Sequence, residues 1–239
     1  MPEGIRVVID GLAIVVDEGT TILEAARKAG VDVPILCYSP HTTPNGLCRL
    51  CVVETEGVRG LQAACVTVPR DGSVIHTSSE SVLRTRRTIV EMLASAVDVS
   101  ETPEVQQLLD ELQADPGRFA AAESRTPPIL DDNPMYVRDY AKCVLCWRCV
   151  QVCAEDAQYT YALSFSGRGF HTSIGTFFEK PIPQTTCVFC GQCVGVCPSG
   201  ALKGKREILL AGGMSPAEVL EATQAPRRSR RSGGDQESS

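Results

Sequence analysis

The strongest constraint on this chain is a cysteine spacing used twice. Cys143, Cys146, Cys149 and Cys153 lie in CVLCWRCVQVC, and Cys187, Cys190, Cys193 and Cys197 lie in CVFCGQCVGVCP. Both read C-x2-C-x2-C-x3-C, and only the second is closed by a proline, Pro198. Two-residue loops let three successive thiolates reach three corners of a cubane. The fourth cysteine, three residues on and expected at a helix start, points the other way and serves a second cluster. The spacing therefore predicts two 4Fe–4S sites with exchanged fourth ligands. Cys143, Cys146, Cys149 and Cys197 form the first set, and Cys187, Cys190, Cys193 and Cys153 the second. Ala154 stands where the second copy has proline, which leaves the first turn less rigidly set. Zinc prefers four ligands at one point, supplied by two separated C-x2-C pairs. A c-type haem needs Cys-x-x-Cys-His, which does not occur.

Four of the twelve cysteines lie elsewhere. Cys37, Cys48, Cys51 and Cys65 are separated by ten, two and thirteen residues, unlike the plant-type C-x4-C-x2-C run. The grouping suits a 2Fe–2S rhomb, with three thiolates from a loop and one from a returning strand. Backbone N–H groups around Asn45, Gly46 and Leu47 are expected to donate to its sulfurs. A structural zinc site is the competing reading of these four residues alone.

Composition bears on compartment and partners. Met1–Gly19 has neither a basic start nor a long apolar run, so no export signal is expected. A cytoplasmic setting keeps thiols reduced and favours metal ligands over disulfides. No stretch approaches the ~18–20 apolar residues of a membrane span, so no direct membrane insertion is expected. A net charge of −6 offers no global face for nucleic acid. Aromatic content is only 5% beside 43% hydrophobic residues, so order is expected to depend on more than apolar packing.

The fold class expected is α+β. IRVVI, Asp10-Gly11 and LAIVV form a hairpin, and Thr20 or Thr21 caps the helix ILEAARKA, stopped by Gly30. Strand-like segments follow at 51–56, 61–68 and 73–77. Residues 1–78 thus read as a β-grasp, 2Fe–2S ferredoxin-like domain. Residues 79–135 are a helical linker, with helices over 79–97 and about 103–114 followed by a proline-marked connector. Residues 136–208 form a bacterial-type double 4Fe–4S ferredoxin domain. Residues 209–239 hold a short helix behind the capping box Ser215–Glu218, then a solvated tail containing RRSRR.

HTTPNGLCRLCVVETEG, LQAACVTV, VLRTRRTIVEMLAS, NPMYVRDYAKCVLCWRCVQVC and CVFCGQCVGVCPSGAL together resemble one electron-transfer module. That module opens the large iron–sulfur subunit of respiratory complex I and NAD-dependent formate dehydrogenase catalytic subunits. It is also the diaphorase small subunit of NAD-reducing hydrogenases. The resemblance covers about residues 5–205, and MYVRDYAKCVLCWRC, GRGFHTSI and CVFCGQCVGVCPSGALK look most like the formate dehydrogenase branch. It implies one 2Fe–2S and two 4Fe–4S clusters in a subunit relaying electrons between a flavin/NADH-binding subunit and a catalytic one, molybdopterin or hydrogenase. The family also carries a His-x3-Cys-x2-Cys-x5-Cys segment between the two blocks, but residues 82–135 contain neither cysteine nor histidine. Three clusters are therefore expected, and the catalytic partner is expected on another chain. The alternatives are a hydrogenase or NADH dehydrogenase diaphorase, or a stand-alone ferredoxin-like carrier or redox sensor. No phosphate-binding glycine loop, G-x-S-x-G or H-E-x-x-H is present, so no substrate site is expected. GRGF reads as a turn, and His41, His76 and His171 as loop or surface residues. Trp147, between two ligands, is expected to shield a cluster or simply to pack.

Overall fold

The computed structural model describes residues 4–223; the RRSRR run and the rest of the tail lie outside them. The hairpin forms as its sequence requires. β1 (Ile5–Ile9) pairs antiparallel with β2 (Leu12–Val16), in register from Ile5–Val16 to Ile9–Leu12. Asp10 and Gly11 both take positive φ, 46° and 85°, which matches the twist of a tight hairpin. The Asp10 carboxylate accepts from the Thr77 N–H at 2.8 Å, so the turn is tied to the far end of the sheet.

α1 (Ile22–Lys28) starts at Thr21 rather than Thr20. Thr21 N–H donates to Glu24 Oε2 at 2.8 Å while Glu24 N–H donates to Thr21 Oγ1 at 3.3 Å. The two bonds close a capping box. Its apolar face, Ile22, Leu23, Ala25 and Ala26, is buried against Val7, Ile9, Val53 and Ile75. β3 (Val52–Thr55), β4 (Gln62–Ala63) and β5 (Ser73–His76) complete a five-stranded sheet in the order β2-β1-β5-β3-β4. β1 and β5 run parallel at its centre and the other pairs antiparallel, a β-grasp arrangement.

The strand expected over 61–68 shrinks to two residues. Beyond Ala63 the chain coils, because Thr67 returns both its N–H (3.1 Å) and its hydroxyl (2.8 Å) to the Ala63 carbonyl. That turn replaces ladder bonds and brings Cys65 inward.

α2 (Glu80–Ala96) begins at Ser79, whose hydroxyl accepts from Val82 N–H at 3.4 Å. α3 (Pro103–Glu111) ends earlier than expected because Gln113 turns to φ +48°. Val90, Val97, Val99, Val105, Leu108 and Leu109 join Leu36 and Leu50 of the cysteine loop in one buried cluster. Each fully buried Val or Leu is worth about 1.5–3 kcal/mol, so the two helices are held onto that loop.

The C-terminal region has little regular structure. β6 (Tyr136–Arg138) pairs with β9 (Leu202–Gly204), and β7 (Ser164–Ser166) with β8 (Ser173–Gly175). Gly167 belongs to the turn between β7 and β8, where a Cβ would sit 2.4 Å from His171 O; GRGF is a turn as expected. α4 (Arg148–Gln151) and α5 (Gln192–Gly195) are single turns. α6 (Lys205–Ala211) follows β9, and α7 (Pro216–Thr223) starts behind the Ser215–Glu218 box. Neither the β6–β9 pair nor α6 is expected from the sequence.

Candidate metal centres

All twelve cysteines are free thiols. Near the N-terminus the fold draws four together. Cys37 and Cys48 face each other through reciprocal contacts, Cys37 N–H to Cys48 Sγ and Cys48 N–H to Cys37 Sγ, both 3.4 Å. Cys51 and Cys65 lie with their sulfurs 3.4 Å apart. Cys65 is fixed because Ala64 N–H donates to Cys51 O (3.1 Å) and Ala64 O accepts from Leu23 N–H (3.0 Å). Cys37, Cys51 and Cys65 are buried and Cys48 is half-buried. Two thiolates on one tetrahedral metal, at bonds of about 2.3 Å, stand about 3.8 Å apart, close to the separation of Cys51 and Cys65.

Protons in this group are shared unequally. Hydrogen bonds from Cys48 and then Cys65 hold the Cys37 thiol down to about 2, helped by the Cys48 and Leu47 N–H groups. Its donors move the opposite way. Cys48 is pushed up first by its bond to Cys37 and then by burial. Cys65 is pushed up by Cys37 and Cys51, and Cys51 falls to about 7 through its bond with Cys65. Of the N–H groups expected to donate, those of Asn45, Gly46 and Leu47, that of Leu47 faces Cys37, and the Cys48 N–H, which was not expected, joins it.

The eight C-terminal cysteines sit on a repeated backbone device. In the first copy Leu145 and Trp147 adopt positive φ (52° and 72°), and in the second Phe189 and Gly191 do (54° and 76°). These residues precede and follow the second cysteine of each motif and turn successive N–H groups toward the sulfurs. Phe189 N–H points at Cys187 Sγ at 3.4 Å, and the N–H groups of Leu145, Arg148 and Val194 favour the thiolates of Cys143, Cys146 and Cys193. Glycine takes this conformation without steric cost, whereas Trp147 holds it despite its Cβ. The Trp147 ring lies edge-on to Phe165, centroids 5.5 Å apart.

The expected helix start at the fourth cysteine is not what forms. The positive φ at Trp147 and Gly191 starts each helix before the third cysteine, so Cys149 and Cys193 lie inside α4 and α5. Cys153 then falls in a wider-wound continuation over Val152–Asp156, and Cys197 falls just past the end of α5.

Two small cavities open among these thiols. One is walled by Cys143, Cys146, Cys149 and Cys197 with Tyr140 and Trp147; the other by Cys187, Cys190, Cys193 and Cys153 with Tyr136 and Phe189. The third cysteines and their neighbours are themselves part of the buried core of this region. Each cavity wall also contains one buried tyrosine, Tyr140 or Tyr136, whose hydroxyl has no partner. A buried hydroxyl without a partner costs about 1–3 kcal/mol. An all-thiol donor set, inward-facing N–H groups and an unpartnered hydroxyl beside each cavity suit a sulfide-rich inorganic group. Burial pushes the Cys146 and Cys193 thiols up to about 12, and Cys143 and Cys149 upward as well. Burial therefore favours the protonated form of these four thiols, and metal binding would displace their protons.

Asn45 joins the two halves. Its Nδ2 donates to Cys146 O (3.2 Å) and Gln151 Oε1 (2.9 Å), while its Oδ1 accepts from Leu47 N–H (3.1 Å). Gln151 Nε2 donates back to Thr43 O at 2.8 Å, and Thr43 Oγ1 donates to Asp156 at 2.8 Å. Arg148 donates to the carbonyl of Tyr38. Cys48 and Trp147 line one shared open pocket with Leu47, Val144 and Phe165. Arg86 lies buried with its guanidinium on the carbonyls of Leu50 and Val52, the residues flanking Cys51. Both Asn45 and Arg86 lie in segments that carry the family resemblance, but the sequence gives neither side chain these partners. His41 is exposed, His76 pairs with Glu56 (2.9 Å), and His171 packs edge-on to Phe170, so none joins a thiol set. Among the described residues no helix is long and apolar enough to cross a membrane.

Comparison with known proteins agrees with this geometry. A 2Fe–2S iron–sulfur cluster binding domain matches residues 3–80, and a 4Fe–4S dicluster domain matches residues 137–201. The HndD subunit of the NADP-reducing hydrogenase of Solidesulfovibrio fructosivorans is 37% identical over 209 residues, covering 83% of this chain and 36% of that protein. An NADH-quinone oxidoreductase subunit of Rhizobium meliloti is 34% identical, over 83% of this chain and 24% of its own length. The alpha subunit of the NADPH-Fe(3+) oxidoreductase of Geobacter sulfurreducens is 35% identical, again over 24% of its length. The chain thus spans 24–36% of these relatives. Among solved structures, a chain of an NAD+-reducing NiFe-hydrogenase superposes with a TM-score of 0.74 at 29% identity, covering 84% of this chain and 87% of that one.

Proposed function

From the premise that this chain carries the iron–sulfur module found in NAD(P)-linked hydrogenases and NADH-quinone oxidoreductases, we propose that it is an electron-relay subunit holding three clusters. One is a 2Fe–2S cluster on Cys37, Cys48, Cys51 and Cys65. The other two are 4Fe–4S clusters, on Cys143, Cys146, Cys149 and Cys197 and on Cys187, Cys190, Cys193 and Cys153. When bound, such clusters supply one-electron transfer without making or breaking bonds to substrate.

The observation that carries the reading is the exchange of fourth cysteines between the two cavities. Each is walled by three thiols of one motif and the last thiol of the other. The protein's own part is to hold thiolates at fixed spacing, aim N–H groups at sulfur and keep water away. Asn45, Gln151 and Arg148 hold the N-terminal site against the first C-terminal one. The count of three is supported by the aliphatic core of Val97, Val99, Val105, Leu108 and Leu109 in the segment that lacks the family's additional ligand motif.

We place the relay between a flavin/NAD(P)H-binding subunit and a catalytic subunit. The motif wording favours a formate dehydrogenase setting; the hydrogenase relatives favour a hydrogenase one. Anaerobic purification with iron, sulfide and zinc analysis tests the core of the proposal. About ten irons and ten sulfides per chain are expected, and near-stoichiometric zinc with little sulfide rejects it. Formate-dependent against hydrogen-dependent NAD(P) reduction by the native complex then separates the two settings.

A further inference from the structure

Three charged side chains are buried in the described residues: Arg86, Glu91 and Arg138. Two have opposite charges at hand. Glu91 pairs with Arg118 at 2.6 Å, and Arg138 with Asp132 at 2.5 Å. Arg86, only 5% exposed, differs. Its Nε donates to Leu50 O at 3.0 Å and its Nη2 to Val52 O at 2.8 Å, and no carboxylate among the described residues lies within ion-pair distance. Guanidinium keeps its proton even when buried. Burial pulls its proton affinity down, and Cys51 first, then the more distant carboxylates of Asp10 and Asp32, oppose that. An uncompensated buried charge is among the costliest features a fold can carry. Two carbonyl dipoles satisfy two of its donors but do not cancel the charge.

The two carbonyls belong to the residues on either side of Cys51. Four thiolates and two sulfides outweigh two ferric irons, so a 2Fe–2S site is anionic, and more so when reduced. We infer that Arg86 is the buried counter-charge of the 2Fe–2S site, a positioning residue that favours its reduced form and raises its potential. The inference rests on the proposed assignment of Cys37, Cys48, Cys51 and Cys65 to that cluster. At the first C-terminal site Arg125 donates to Cys143 O at 3.3 Å and Arg148 to the carbonyls of Tyr38 and Val196, but both arginines are only half-buried.

The test is a redox titration of the full reconstituted chain, followed by the electron paramagnetic resonance signal of the reduced cluster. A 2Fe–2S signal in the wild type supports the assignment itself; its absence overturns that assignment, and the inference with it. Arg86→Gln and Arg86→Met are then expected to lower the reduced-to-oxidised ratio at the wild-type midpoint about tenfold. For one electron that is a shift of about 59 mV to more negative potential, with both 4Fe–4S potentials unmoved. Arg86→Lys keeps the charge and is expected to stay within about threefold of wild type. A loaded Arg86→Gln chain titrating at the wild-type potential overturns the inference. Should the neutral variants fail to load, Val82→Ala, also fully buried on the same helix, serves as the packing control. Cluster retained in Val82→Ala and Arg86→Lys but lost in Arg86→Gln upholds the counter-charge. Loss in Val82→Ala or Arg86→Lys as well overturns it.

Discussion

The N-terminal thiols and the C-terminal thiols are held in opposite ways. Cys51 and Cys65 belong to a hydrophobic core of valines, isoleucines and alanines that α1 and the five-stranded sheet build without them. In the C-terminal region cysteines make up more of the packing: Cys149 and Cys193 are buried beside Tyr136, Val152, Ile174 and Ile182, and Cys143, Cys153, Cys187 and Cys197 pack around that cluster. Two short strand pairs and two single-turn helices surround that cluster. On the proposed reading, one region places its cluster site on a scaffold it already has, and the other relies on its cluster sites to complete one. The difference follows from what each sequence offers for burial, since a few short elements cannot offset the conformational entropy of ordering them.

The sharpest way to break this contrast is to strip the iron anaerobically with a chelator and follow amide hydrogen exchange. Residues 136–204 are expected to lose nearly all protection, while β1, β5 and α1 keep theirs. Equal loss in both halves would refute the contrast. A second experiment dissects the C-terminal cavities. Cys153→Ala is expected to reduce iron from about ten to about six per chain and to expose Cys187, Cys190 and Cys193 to alkylation, leaving Cys143, Cys146 and Cys149 protected. Cys197→Ala should give the reverse pattern. Exposure of the cysteines in the variant's own motif would sink the exchange of fourth ligands.

Smaller effects test how the halves are joined. Asn45→Ala removes donors to Cys146 O and Gln151 Oε1 and is expected to cost about 1–3 kcal/mol. It should separate one thermal transition into two, as read by calorimetry of the loaded chain; an unaltered single transition at the wild-type temperature would mean the clasp is idle. The mildest change is Thr21→Ala, which opens the α1 capping box. A loss of about 1 kcal/mol is expected in denaturant titration, with cluster content unchanged because the N-terminal core remains.

Much of the first region was legible because its signals are local. Asp10-Gly11 between two alternating runs and a threonine, Thr20 or Thr21, ahead of ILEAARKA each depend on neighbours within four residues. The misreadings arose where distant chain decided the outcome. Val66 and Val68 are strand-like, yet the chain coils beyond Ala63 and leaves them exposed. β6 and β9 are three residues each and exist only because residues 136 and 204 meet. The fourth cysteines do not start helices: with Trp147 and Gly191 left-handed, each helix begins before the third cysteine, Cys153 falls inside the continuation over Val152–Asp156 and Cys197 falls just past α5.

By itself the sequence determined which thiols form the candidate sites and in what groups of three, because a two-residue loop limits how far successive thiolates can spread. It also determined the hairpin, the Ser215–Glu218 box and the missing ligand motif. Only the tertiary structure decided that Asn45 reaches Cys146 and that Arg86 lies buried against the carbonyls of Leu50 and Val52 with no carboxylate in ion-pair range. Those relations join residues from 34 to 101 positions apart. At such separations the spacing along the chain no longer restricts distance in space, and packing alone selects the neighbour.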